Sequence, residues 1–146
     1  LFLKIKTDVS AFIKANVPPK YVYHNLDHTL YVLDKVVHIG IKEKIDDENM
    51  FLLKVAAMYH DAGFVFGAAD HEINSCSIAT DQLPLYGIGL GHISKICDLI
   101  MCTKLPQNPK NILEAIISDA DLYYLSTPQA ESISQKLFIE WMGDDS

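Results

Sequence analysis

Apolar residues recur at intervals of three and four through almost every segment of this chain, and strict alternation over a strand length is absent. A period near 3.6 lets each helix turn one apolar stripe inward, so the pattern predicts an all-α fold. Phe2 to Ala15 forms a first amphipathic helix, ending before Pro18-Pro19. Asn25 or Asp27 can cap a second helix from about Leu26 to Lys44. Asp46 or Asp47 opens a third, which turns Phe51, Leu52, Val55, Ala56 and Tyr59 inward and stops near Gly63. A fourth has Asp70 as N-cap and reads through to Leu83, broken by Pro84. Three more follow at about His92 to Thr103, Pro109 to Leu125 and Pro128 to Met142, the last two started by Asn108-Pro109 and Thr127-Pro128. Gly87, Gly89 and Gly91 form a loop, and with no strand before them they are not a phosphate-binding motif.

At 146 residues, the expectation is one compact helical bundle over 1–146, able to bury roughly two thirds of its unfolded surface. The chain opens on Leu1 and stops at Ser146 straight after an apolar helix, which leaves room for truncation at the C-terminus. A net charge of −7 without a Lys/Arg cluster argues against duplex nucleic acid and against a membrane surface. No apolar run reaches the roughly 20 residues of a membrane span, and no basic signal-peptide start is present. Cys76, Cys97 and Cys102 are odd in number and lack a Cys-x-x-Cys pattern, so they read as buried thiols of a reducing compartment, the cytoplasm fitting best.

Against this background the histidines and aspartates carry the chemistry. His60-Asp61 follows the apolar run Val55-Ala56-Ala57-Met58-Tyr59, where burying an imidazole beside a carboxylate costs several kcal/mol unless something neutralises them. His24 and His28 lie four apart in an earlier segment, and Asp119 and Asp121 flank Ala120 in a later one. Ligands drawn from several elements are what a metal centre requires, since one helix cannot surround an ion. Projection through Ile112, Ala115, Ile116 and Tyr123 puts Asp119 within the apolar stripe and Asp121 at its edge beside Ile117 and Tyr124, so periodicity alone favours Asp119. His71-Glu72 follows Asp70 at a helix start. There it is either part of a capping box or a place for a second ion, a water or a phosphate.

Together, Tyr23-His24-Asn25-Leu26-Asp27-His28, His60-Asp61-Ala62-Gly63-Phe64, His71-Glu72-Ile73-Asn74-Ser75 and Asp119-Ala120-Asp121-Leu122 resemble the HD-domain metal-dependent phosphohydrolase superfamily in order, spacing and context. The match runs from about Tyr21 to Leu125. Its Tyr-His-Asn-x-x-His opening is also similar to that of cyclic-nucleotide phosphodiesterases. The resemblance implies a helical bundle of the HD-domain type with about seven helices and a divalent metal held by His28, His60, Asp61 and Asp121, identity open among Mn, Zn, Fe, Co, Ni and Mg. It selects Asp121 over Asp119 through the Ala-Asp-Leu unit and leaves Asp119 to orient a ligand histidine.

By the same resemblance His24 protonates the leaving alkoxide, with fixing of its loop as the alternative. Asp61, His71 and Glu72 complete the catalytic set. Lys104 is the basic residue expected nearest the pocket, whereas His38 and His92 match nothing, and Tyr123, Tyr124 and Trp141 read as core. The implied function is hydrolysis of a phosphoester of a nucleotide or another small phosphorylated metabolite by a metal-activated water. A non-catalytic metal- or nucleotide-binding regulatory module is the alternative, and a purely structural helical module the third. The substrate and the oligomeric state stay open.

Overall fold

Each segment with a three-and-four apolar repeat is helical in the computed structural model of the protein, which describes residues 1–143. Its α-helices are α1 (Phe2–Asn16), α2 (Leu26–Lys42), α3 (Asp47–Tyr59), α4 (His71–Gln82), α5 (Leu90–Met101), α6 (Ile112–Asp121) and α7 (Ala130–Gly143). Short 3-10 turns at Ala62–Phe66, Leu83–Tyr86 and Tyr123–Ser126 join them, and there is no strand among the described residues. No helix among these residues is long and apolar enough to cross a membrane.

Helix α3 is the axis of the bundle. Asp46 caps it by accepting from the Asn49 amide at 2.8 Å, and Asp47 and Glu48 complement the dipole of the first turn. Beyond that turn Leu52, Leu53 and every residue from Val55 to Tyr59 are buried, with Phe51 and Lys54 half-buried, so the C-terminal half of α3 is enclosed by α1, α2, α5 and its other neighbours. The surrounding helices each supply a stripe: Ile5, Val9 and Ile13 from α1, Val32, Leu33 and Val36 from α2, Ile93, Ile96 and Ile100 from α5. Burial of each such side chain contributes about 1.5–3 kcal/mol before the entropy of ordering it is subtracted. A helix so enclosed can carry polar groups into the interior at its end, and α3 ends on His60-Asp61.

Boundaries differ from expectation where side-chain chemistry overrides the apolar pattern. Helix α5 starts at Leu90, capped by the extended Gly89, before the expected His92. Helix α6 starts three residues later than Pro109: Asn111 accepts from the Glu114 amide at 2.9 Å, and its amide group donates back to the Glu114 carboxylate at 3.0 Å. That reciprocal pair fixes the start more firmly than Asn108-Pro109. The same helix stops at Asp121 and tightens into the 3-10 turn, short of Leu125. Thr127 does not cap α7, because its hydroxyl donates to the Tyr124 carbonyl, and the helix begins at Ala130 instead of Pro128. Asp70 precedes α4 but sits in the left-handed region, φ 56°, and makes no side-chain cap bond, which removes the capping-box reading. Trp141 is 73% exposed and is not core, whereas Tyr124 is buried. The three cysteines are free thiols and only half-buried.

The turn after α3 presses on α4 at Gly63. A Cβ there would stand 2.0 Å from the His71 carbonyl oxygen and 2.8 Å from the Ser75 amide nitrogen, both backbone atoms that cannot swing away. Gly63→Ala is therefore expected to cost about 3 kcal/mol, at the upper end of overpacking effects, and to lower Tm by about 6–12 °C in a domain of this size. Thermal unfolding by circular dichroism checks it, and a Tm within about 2 °C of the parent would mean that the turn and α4 separate freely.

Candidate metal centre

Three helices and the turn after α3 deliver the site. Asn25 caps α2 by accepting from the Asp27 amide at 3.1 Å, which puts His28 in the first helical turn and buries it. His60 closes α3 as its C-cap, and Asp61 has already left α-helical geometry at φ −113°, ψ 8°. Ser75 of α4 locks this corner: its hydroxyl donates to the His60 carbonyl at 2.9 Å and accepts the Gly63 amide at 2.8 Å. Asp121, the last residue of α6, points at the same place.

The imidazole Nε2 of His28 is 3.0 Å from Asp121 Oδ1 and 3.4 Å from Asp61 Oδ2, and His60 Nε2 is 3.1 Å from Asp61 Oδ2 and 3.4 Å from Asp121 Oδ1. One ligand atom from each of the four residues lies within 4.8 Å of all the others. Ligands at about 2.1 Å from a common ion stand about 3.0 Å apart at right angles and about 3.4 Å apart at the tetrahedral angle, which are the spacings seen. His60 is 0% exposed and donates Nδ1–H to the Ala57 carbonyl at 2.7 Å, so Nε2 is turned to the cluster. There His60 Nε2 and Asp61 Oδ2 are both buried without a hydrogen-bond partner among the described residues, close enough to pair by charge but not aligned to bond. Orphaned buried polar atoms are costly, and a cation between them satisfies both. The residues fit a divalent ion with mixed imidazole and carboxylate ligation.

Without an ion, protons carry the positive charge. Burial opposes the His60 imidazolium, but Asp61 and Asp121 outweigh it and hold the group well above the ordinary imidazole range. Burial likewise raises Asp61 and Asp121, yet the histidines pull Asp61 well below the carboxylate range and Asp121 down to about 2. In the metal-free fold the His60 contribution is fully present below the ordinary imidazole pKa and is lost as pH rises through its raised value. The Asp121 contribution is present above the ordinary carboxylate pKa and is lost as pH falls toward about 2. Metal uptake must expel the His60 proton, so affinity should rise with pH through and beyond neutrality, and about one proton should be released per ion at pH 7. Calorimetry in buffers of different ionisation enthalpy counts that proton, and uptake without release at pH 7 would contradict the assignment.

The other predicted residues gather beside the cluster. His71 Nε2 stands 3.2 Å from both Asp61 Oδ1 and Glu72 Oε2, and its Nδ1 donates to the Ala68 carbonyl at 3.1 Å. Burial opposes its charge, but the two carboxylates raise its pKa. His24 lies in the turn before α2 with its ring stacked on Phe64, centroids 4.4 Å apart, and Phe64 in turn meets the His71 ring at 4.3 Å. A hollow of about 400 Å³ opens over the cluster, and its lining combines His24, Asp61, His71, Glu72, Lys104 and Asp121 with Leu105, Leu122 and Leu137. His38 is exposed, and His92 pairs at the surface with Glu48 at 2.9 Å.

Asp119 is exposed and orients no ligand histidine. The buried stripe of α6 runs through Ile116, Ile117 and Ala120, whereas Ile112, which anchored the projection toward Asp119, is 52% exposed. Sequence patterns also left three residues without a role. Glu140 of α7 is buried and accepts the backbone amides of His24 at 2.8 Å and Tyr23 at 3.2 Å, while its second oxygen pairs with His24 Nδ1. Burial raises its carboxyl, but His24 outweighs this and lowers it. A lone acid within Phe138-Ile139-Glu140-Trp141-Met142 was the available signal. Gln107 donates to Asp121 Oδ2 at 3.4 Å and holds that carboxylate from behind. Ser75, described above, is the third, and a serine within a helix announces nothing by itself.

A family model described as HD domain matches residues 25–124. Among solved structures the chain is similar to a predicted HD superfamily hydrolase from an uncultured Thermotogales bacterium, with a TM-score of 0.65 and 21% identity over 95% of this chain and 84% of that one. No curated protein matches the chain.

Proposed function

This chain belongs to the HD-domain family, and from that premise we propose that it is a metal-dependent phosphohydrolase, cleaving a phosphoester of a nucleotide or another small phosphorylated metabolite. The observation that carries the proposal is the pair of buried atoms without a hydrogen-bond partner among the described residues, His60 Nε2 and Asp61 Oδ2, inside a ring of two imidazoles and two carboxylates. His28, His60, Asp61 and Asp121 would hold the ion. When bound, a divalent ion there would supply Lewis acidity, lowering the pKa of water toward about 7 and neutralising charge on a phosphoryl oxygen. The similar solved structure is described as a predicted HD superfamily hydrolase, which is in keeping with the same class of reaction.

The remaining residues supply position and protons. Glu140 engages Nδ1 of His24 and fixes the imidazole, so Nε2 is the atom left to donate to a departing alkoxide. Stacking on Phe64 restricts the ring to that plane. His71 is held between Asp61 and Glu72 at Nε2 while its Nδ1 donates to the Ala68 carbonyl, so it positions those two carboxylates beside the cluster. Leu105, Leu122 and Leu137 add apolar surface to the lining of the hollow.

A module that only binds a metal or nucleotide has no need of a buried carboxylate to orient His24, which is why hydrolysis is preferred. A turnover assay on the metal-loaded protein tests it, with nucleoside monophosphates, nucleoside triphosphates, cyclic nucleotides and simple phosphate esters as substrates and Mn, Zn, Fe, Co, Ni and Mg supplied in turn. Cleavage that disappears with chelator and returns with metal is expected. Stoichiometric metal with no cleavage of any of these would favour the regulatory module.

A further inference from the structure

Resting on the phosphohydrolase reading of the same pocket, we propose that Lys104 is its phosphoryl anchor, the side chain that holds the substrate's non-bridging oxygens. Lys104 is the only Lys or Arg among the described residues that line the 400 Å³ hollow. The chain around it is tied down on both sides. Thr103 is buried and donates its hydroxyl to the Ile100 carbonyl at 2.7 Å, and the Lys104 amide donates to Met101 at 3.2 Å, so the residue hangs from the end of α5. Three residues on, Gln107 bonds both the Thr103 carbonyl and the Asp121 carboxylate, each at 3.4 Å. One contact therefore joins the loop carrying Lys104 to a proposed metal ligand. The ammonium group itself is exposed and has no ion-pair partner among the described residues.

Charge gives the reason an anchor is needed. The chain carries 19 acidic against 12 basic side chains, and Asp61, Glu72 and Asp121 all face the hollow. A divalent ion leaves these three carboxylates one charge in excess. A phosphate monoester, largely dianionic at neutral pH since its second pKa is about 6, would meet net repulsion there. Protonated histidines relieve this only as pH allows, whereas an ammonium group is a permanent point charge with three donors suited to phosphate oxygens. Lys104 also borders a second hollow of about 570 Å³, where Asp98 and Glu114 balance Lys104 and Lys110, so a further phosphate gains no net attraction in that direction. The arrangement fits a single phosphoryl group held at Lys104 with its alcohol portion against Leu105, Leu122 and Leu137.

The test uses inorganic phosphate as probe, titrated into Mn²⁺-loaded protein by calorimetry, for the parent, Lys104→Met and Lys104→Arg. Binding should weaken about 10- to 100-fold in Lys104→Met, the range for a hydrogen bond to a charged group, and recover in part in Lys104→Arg, with metal stoichiometry and Tm unchanged. On p-nitrophenyl phosphate KM should rise by the same factor while kcat stays within about threefold, as loss of ground-state binding requires. Phosphate affinity in Lys104→Met within about twofold of the parent, or a parent that binds no phosphate, would overturn the proposal. If phosphate binding depends on Lys104 but the parent cleaves no ester, the anchor stands and the hydrolase reading falls. If esters are cleaved with KM indifferent to Lys104, the anchor falls and the hydrolase reading stands.

Discussion

Asp61→Ala should strip the protein of bound metal and reduce turnover by at least about 10³-fold, more than loss of a single transition-state hydrogen bond costs. Asp61 is the only one of the four proposed ligands whose carboxylate lies within ion-pair distance of His28, His60 and His71 together. Its removal opens one side of the cluster and leaves Asp121 as the one carboxylate shared by His28 and His60. The helical fold should survive, because the residue sits in the turn after α3 and contributes no side chain to the apolar core. Asp61→Asn preserves shape while removing charge, and should lose metal as well. Elemental analysis with circular dichroism reads both effects, and a folded Asp61→Ala protein that keeps a full complement of metal would remove Asp61 from the ligand set.

The second large effect concerns His24. If it protonates the leaving group, His24→Asn should retain metal and slow turnover by about 10² to 10⁴-fold on esters with poor leaving groups. On p-nitrophenyl esters the loss should shrink, because nitrophenolate departs without a proton. Equal loss on both substrates would show that His24 positions substrate or supports its turn, and the acid would then be sought at His71. The contrast between leaving groups is decisive because a lower rate alone follows from either role. Glu140 gives the prediction structural footing, since a residue 116 positions away in sequence bonds both the ring and the backbone of His24.

Much of this site is legible in the sequence because its chemistry is local. His60-Asp61 at the end of an apolar run, and His28 just inside a capped helix start, are each visible within a few residues. The ends of α6 were harder. Its apolar side was set by the exposed Ile112 in the projection, which rotated the predicted stripe toward Asp119, whereas packing on α2 and α3 selects Ile116, Ile117 and Ala120. The motif resemblance points to Asp121, whose carboxylate lies in the cluster, whereas periodicity points to Asp119. Contacts between distant elements left no local trace at all: Glu140 on His24, Gln107 on Asp121 and Ser75 on the His60 carbonyl each depend on how helices meet. The same limit explains Trp141, since an apolar side chain on α7 is indistinguishable in sequence from one that packs inward.

The central claim, that His28, His60, Asp61 and Asp121 together hold one catalytic divalent ion, is tested most directly by anomalous diffraction. Crystals of the protein loaded with Mn, Fe, Co, Ni or Zn would be measured above and below that metal's absorption edge. The expected result is one dominant anomalous peak at about 2.0–2.2 Å from Nε2 of both histidines and from a carboxylate oxygen of both aspartates. Metal-loaded crystals with no peak inside that ring, or with the ion held by other residues, would contradict it.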